Sequence, residues 1–145
     1  MKKYLYLFTL TFSTLIFFVA CEEKAKPKVT IDSDLALPIT CMKLNILGDD
    51  KVLVNSLNNL YTFDKHCSLT LTLSSKKDIV CNSTVNMMSK NMGKFPKSFV
   101  KLELREGMKI KYSYYLDLYS NVDEDDVEEG FEQLKKDLLT PKGAE

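Results

Sequence analysis

Apolar and polar side chains alternate most clearly between residues 99 and 119. In Phe99–Leu104, Val100, Leu102 and Leu104 fall on one side and Lys101 and Glu103 on the other. After Glu106-Gly107, Ile110, Tyr112, Tyr114, Leu116 and Leu118 alternate with Lys111, Ser113 and Asp117. A period of two sends successive side chains to opposite faces, so the pattern predicts an antiparallel hairpin with one face buried and one in water. Leu69, Leu71 and Leu73 set against Ile79, Cys81 and Val85 predict a second hairpin across the turn Ser74-Ser75-Lys76-Lys77, with Ser68, Thr70 and Thr72 toward solvent. Val29–Ile31, Ile39–Leu47, Val52–Leu57 and Leu60–Phe63 are short and rich in β-branched or aromatic residues. Gly48-Asp49-Asp50 and Asn58-Asn59 separate three of them, so these segments read as further strands.

The period changes in the tail. Between Asp123 and Leu139, Val127, Phe131, Leu134 and Leu138 recur at helical spacing. Asn121 with Glu124 reads as a capping box, acids crowd the first turns, Lys135 and Lys136 lie near the end, and Pro141 stops the run. Residues 121–140 are therefore predicted as one amphipathic helix, packed on the strands or on a partner. Lys90–Ser98, with Gly93 and Pro96, reads as a loop, with a short helical turn around Val85–Met92. About eight short strands over residues 29–120 predict a mainly β fold, an Ig-like antiparallel β-sandwich with a C-terminal amphipathic α-helix. The chain has no Trp and no Ig cysteine spacing, so the expectation concerns architecture and not family membership.

The N-terminus follows a different logic. Lys2 and Lys3 precede an apolar run from Leu5 to Ala20 that no acid interrupts, the order of an export signal. The run ends in Phe18-Val19-Ala20-Cys21, which resembles the lipobox of bacterial lipoproteins: two apolar residues, a small residue, then cysteine. Phe18 stands where that family most often has Leu. The resemblance implies that residues 1–20 are a signal peptide cut before Cys21, and that the Cys21 thiol carries a diacylglycerol with its new amine acylated. Two or three acyl chains, each buried methylene contributing about 0.8 kcal/mol, would hold the product on a membrane. Two alternatives stay open: an uncleaved membrane helix, and a soluble exported chain with an ordinary thiol at Cys21. Glu22 follows the cysteine, and by the sorting rules of that family the outer membrane is favoured over the inner. Overall the chain also resembles small lipoproteins with Ig-like folds, although no motif beyond the lipobox carries that likeness.

Charge and composition narrow the rest. The remaining residues suffice for a single domain with a core. Residues 22–28, Glu-Glu-Lys-Ala-Lys-Pro-Lys, read with Cys21 as a lipidated tether spanning 21–28. Loss of Lys2 and Lys3 turns the balance of 20 basic and 20 acidic side chains into a slight negative excess, which argues against nucleic-acid binding. The excess is uneven: residues 21–120 are net basic and residues 121–145 net acidic.

Three cysteines remain after Cys21. In the predicted second hairpin Cys67 and Cys81 lie four residues out of register, roughly 13 Å along the strands, too far to bridge. Cys41 with either Cys67 or Cys81 is the expected disulfide; three free thiols are the alternative. His66 beside Cys67 lacks the close partners of a zinc site and reads as a loop residue, and Asp123-Glu124-Asp125-Asp126 lacks the spacing of a calcium loop. No nucleophile motif or phosphate-cradling glycine loop occurs, so no catalytic residue, metal or cofactor is expected. Lys97, Lys101, Arg105, Lys109 and Lys111, with Lys101 expected near Lys111, form a candidate basic surface for anionic headgroups or an acidic partner. Tyr115 and Tyr119, on the solvent side of the long strand, are candidate contact residues. The resulting expectation is a lipid-anchored, non-catalytic binding or assembly protein of the cell envelope with a protein partner. The alternative is a carrier of a small apolar ligand or lipid, and an enzyme is the remote one.

Overall fold

In the computed structural model the described residues are 25–47, 50–79 and 95–140. The elements follow as β1 (Lys28–Ile31), β2 (Lys43–Leu47), α1 (Lys51–Leu60), β3 (Leu69–Lys76), β4 (Ser98–Glu106), β5 (Lys109–Leu118) and α2 (Glu124–Leu138). The strands form one sheet in the order β1-β5-β4-β3-β2. Every pairing is antiparallel except β2 with β3, which is parallel. The described fold is thus mainly β, a five-stranded mixed sheet with two helices. The expected Ig-like sandwich finds no second sheet among the described residues; both helices lie against the single apolar face where that sheet would stand.

The difference begins at residues 51–60. Val52 and Val54 fit an alternating strand, but Leu53, Ser56, Leu57 and Leu60 also fall at helical spacing, and the chain takes the helix. Asp50 caps it by accepting from the Leu53 N–H, and Leu53, Ser56 and Leu57 are buried while Ser56 Oγ donates to Glu128 of α2. Packing on α2 and the sheet overrides the β preference of two valines. A helical crossover returns the chain in its original direction, which is why β2 and β3 run parallel.

That arrangement also displaces the second predicted hairpin. β3 pairs with β2 on one side and β4 on the other, so neither edge is free for Ile79–Val85. The Ile79 N–H donates instead to the Lys97 carbonyl, and residues 80–94, with the expected helical turn and Cys81, lie outside the described residues, as do Cys21 and the leader.

The hairpin of β4 and β5 forms at residues 98–118, turning through Gly107-Met108. Gly107 takes φ +58, the left-handed value that favours glycine at the first position of a tight hairpin turn. Val100, Leu102, Leu104, Tyr112, Tyr114, Leu116 and Leu118 share the buried face. A register shift between Leu104 and Arg105 breaks the expected run: Tyr112 opposes Leu104 but Ile110 opposes Arg105, leaving Lys111 without a partner across the ladder. The bulge changes the phase of the strand, so Ile110 is 43% exposed and Lys111 is buried in its stead.

α2 begins with a different cap from the one expected. Asp123, not Asn121, is the N-cap, and Asp126, not Glu124, closes the capping box; Glu124 is already the first helical residue. Val127, Phe131, Leu134 and Leu138 are all buried. Gly130 faces the sheet, where an added Cβ would stand 2.8 Å from Tyr114 Cε1, so absence of a side chain sets how closely α2 approaches β5.

Candidate binding site at the β2 edge

The cations expected to form a basic surface are mostly held within the molecule. Glu103 accepts from Lys101 at 2.7 Å and from Arg105 at 3.1 Å. Burial raises the Glu103 carboxyl, but the two cations outweigh that and leave it below its ordinary range. Lys109 reaches Asp32 at 2.9 Å and Asp34 at 3.0 Å, and Lys111 reaches Asp32 at 3.2 Å. The Lys109 hydrogen bond, then the Asp34 backbone and Lys111, bring the Asp32 carboxyl down to about 2, and the same pairing raises Lys109. Lys101 opposes Tyr115 across the hairpin, well away from Lys111, which sits in the bulge at the other end. Lys97 is exposed just before β4.

The two tyrosines are also less available than alternation implied. Tyr115 is half-buried, stacks on Phe99 at 5.5 Å and donates to Asp117, while Lys28 lies 5.9 Å above its ring. Burial, with Asp117 assisting, pushes its phenol up to about 12. Tyr119 is half-buried just beyond β5. Tyr112 is core, donates to Asp137 at 3.1 Å, and is raised by burial and that carboxylate.

A concave surface forms elsewhere, along β2, which has no outer neighbour among the described residues. Near the end of α1 Lys43, Leu44, Ile46, Tyr61, Phe63 and Lys65 line a groove of about 430 Å³. Its aromatic wall is backed by the core: Tyr61 and Phe63 centroids are 5.1 Å apart, and lie 6.0 and 6.2 Å from Phe131 of α2. Near the start of α1 Ile46, Leu47, Leu53 and Leu73 line a second groove of about 250 Å³, with the Lys77–Asp50 pair at 2.8 Å on its rim. The hydrogen bond from Lys77 lowers the Asp50 carboxyl. Ile46 and Leu47 are 41% and 61% exposed, a high value for apolar residues on a strand. A strand with no outer neighbour among the described residues, apolar side chains and two grooves beside it is suited to binding an extended segment. The larger cleft at the start of α2, lined by Asp123, Glu124, Asp125 and Glu128, is acidic because those residues cap and charge the helix end.

One covalent tie frames this edge. Lys43 opposes Thr70 at the start of the parallel pairing, so Cys41 and Cys67, just before those positions, are neighbours. The structure joins them in a disulfide with Cα atoms 5.9 Å apart. His66 is exposed, with its backbone N–H donating to Asp64. Among the described residues no group of His, Cys, Asp or Glu is placed to hold a metal ion, and no helix is long and apolar enough to cross a membrane.

Sequence reasoning missed Lys43, Leu44, Ile46, Tyr61, Phe63 and Lys65 as neighbours, because it read 52–57 and 60–63 as strands. The available signal was Tyr61-Thr62-Phe63 with Lys65 following, aromatic residues beside a cation just after a helix end.

The described residues thus form a disulfide-tied mixed sheet with two helices and an edge strand beside an aromatic groove. No protein family, no curated protein and no solved structure matches the chain.

Proposed function

We propose that this is a lipid-anchored, non-catalytic binding or assembly protein of the bacterial cell envelope, held by Cys21 and engaging an envelope protein through the β2 edge. The β2 edge, without an outer neighbour among the described residues, and the two grooves beside it are the observation that carries the binding part. The Cys41–Cys67 disulfide supports an oxidising compartment, and Phe18-Val19-Ala20-Cys21 supports the anchor, with the outer membrane favoured. A photo-crosslinker at Thr62, on the groove, tests the reading in native membranes. One reproducible adduct that disappears in Ile46→Lys is expected; recovery of no adduct, or one indifferent to Ile46→Lys, counts against it. Labelled fatty acid should enter the wild type and not Cys21→Ser.

The groove volume favours a second reading, a carrier of a small apolar ligand or lipid, since about 430 Å³ lies within the usual range of small-molecule sites. Native mass spectrometry of gently extracted protein decides: a constant added mass supports the carrier, and a bare chain removes it.

A further inference from the structure

The strand register places a second set of residues on the sheet face opposite the helices. Lys28, Tyr115, Lys101, Ser74 and Leu47 form one row across all five strands. Arg105, Thr70 and Lys43 share another row, and Asp117, Phe99 and Lys76 a third. Among the described residues no helix packs on this face. Its two acids are engaged by neighbours: Glu103, 8% exposed, lies between Lys101 and Arg105, and Asp117 accepts from the Tyr115 hydroxyl. Lys28, Lys43 and Lys76 have no carboxylate partner among the described residues. Leu47 and Ile110 add exposed apolar side chains, and Phe99 stacks on Tyr115. The helical layer behind is opposite in sign, with Glu124, Asp125, Glu129 and Glu132 exposed on α2.

We propose that this open face lies against an anionic lipid bilayer, with Lys28, Lys43 and Lys76 toward the headgroups and Leu47 and Ile110 at the interface. Cations spread over a flat surface four inter-strand spacings wide, roughly 19 Å, match a plane of charge better than a compact ligand. The acidic α2 is repelled from the same plane, so attraction and repulsion select one orientation. The inference uses the proposed anchor only for proximity: the chain from Cys21 to Lys28 reaches at most about 25 Å, which keeps the face within range of the bilayer. Its charge pattern stands without the anchor.

The test uses residues 22–145 without lipid, since residues 25–140 contain every described element and their shared core. This piece carries two fewer basic than acidic side chains, so attraction to an anionic surface has to come from a local patch. It should co-sediment with phosphatidylcholine vesicles containing phosphatidylglycerol and not with phosphatidylcholine alone, and salt should release it. Each basic side chain at such a surface is worth roughly fivefold in binding, so Lys28→Glu with Lys76→Glu should weaken it by at least about 25-fold. Lys135→Glu with Lys136→Glu changes net charge equally on the helical layer and should leave binding unchanged. Circular dichroism verifies folding, and Lys→Gln at positions 28 and 76 replaces the reversals if they unfold the domain. Equal binding to both vesicles, equal loss in both double variants, or no vesicle binding overturns the proposal. Retention of soluble polyglutamate without vesicle binding reassigns the face to an acidic protein. Fatty-acid labelling at Cys21 reports on the anchor independently, so the two failures remain distinguishable.

Discussion

The two faces of the sheet are built from the same strands, residue by residue in alternation, yet they hold together by different physics. On the helix side Leu102, Leu104, Tyr112, Tyr114 and Phe131 are excluded from water, and each large side chain so buried contributes roughly 1.5–3 kcal/mol. On the open side Lys101, Glu103 and Arg105 pair laterally along β4 in partly solvated surroundings, where an ion pair is worth about 0–1 kcal/mol. Stability is thus concentrated on one face, leaving the other tolerant of changes that serve a surface role.

Substitutions on each side can break or sharpen that contrast. The largest loss is expected at Phe131, which is fully buried between the aromatic pair and the sheet: Phe131→Ala should cost about 3–5 kcal/mol in urea unfolding. The disulfide comes next, for it clips the margin of the covered face with a sequence separation of 26. Cys41→Ser should lower stability by about 3 kcal/mol, measured against the oxidised wild type. Gly130→Ala should follow at about 1–3 kcal/mol, because its Cβ meets the Tyr114 ring and α2 or the ring must shift.

Asp32, near the end of β1, gives a change of pH dependence. Its folded carboxyl titrates at about 2, below the ordinary value of 3.8, so its stabilisation is present above about pH 4 and is lost as pH falls toward 2. Urea midpoints should fall through that window, and less steeply in Asp32→Asn. Smallest is Lys101→Ala on the open face, expected to cost under about 1 kcal/mol in the same assay. A loss at Lys101 as large as that at Phe131 would erase the distinction between the faces.

Which parts were legible in advance follows from how local each signal is. The β4–β5 hairpin and the buried stripe of α2 are set by side-chain periodicity within one segment, and both occur where alternation and helical spacing placed them. Residues 51–60 satisfy two periods at once, and only packing of Leu53 and Leu57 chooses between them. The Ile110–Lys111 exchange was hidden because a bulge inserts one residue and reverses the alternation beyond it. The pairing of the basic side chains was hidden for a related reason: composition showed the cations, whereas Asp32 and Asp34, more than seventy residues earlier, pair with Lys109 through the β1–β5 pairing.

The sequence by itself determined an alternating hairpin, an acidic amphipathic tail helix and the lipobox-like run ending in Cys21, since each is written in consecutive residues. It also offered Cys41 with Cys67 or Cys81 as the disulfide, with three free thiols as the alternative, by way of a second hairpin whose place β4 takes. Tertiary structure decided the partner, because the parallel register of β2 and β3 brings Cys41 beside Cys67. It likewise decided that, among the described residues, one sheet is covered by two helices and β2 is its edge strand, beside Tyr61 and Phe63. Strand order, edges and grooves depend on which segments meet, and that is fixed by burial shared among residues far apart in the chain.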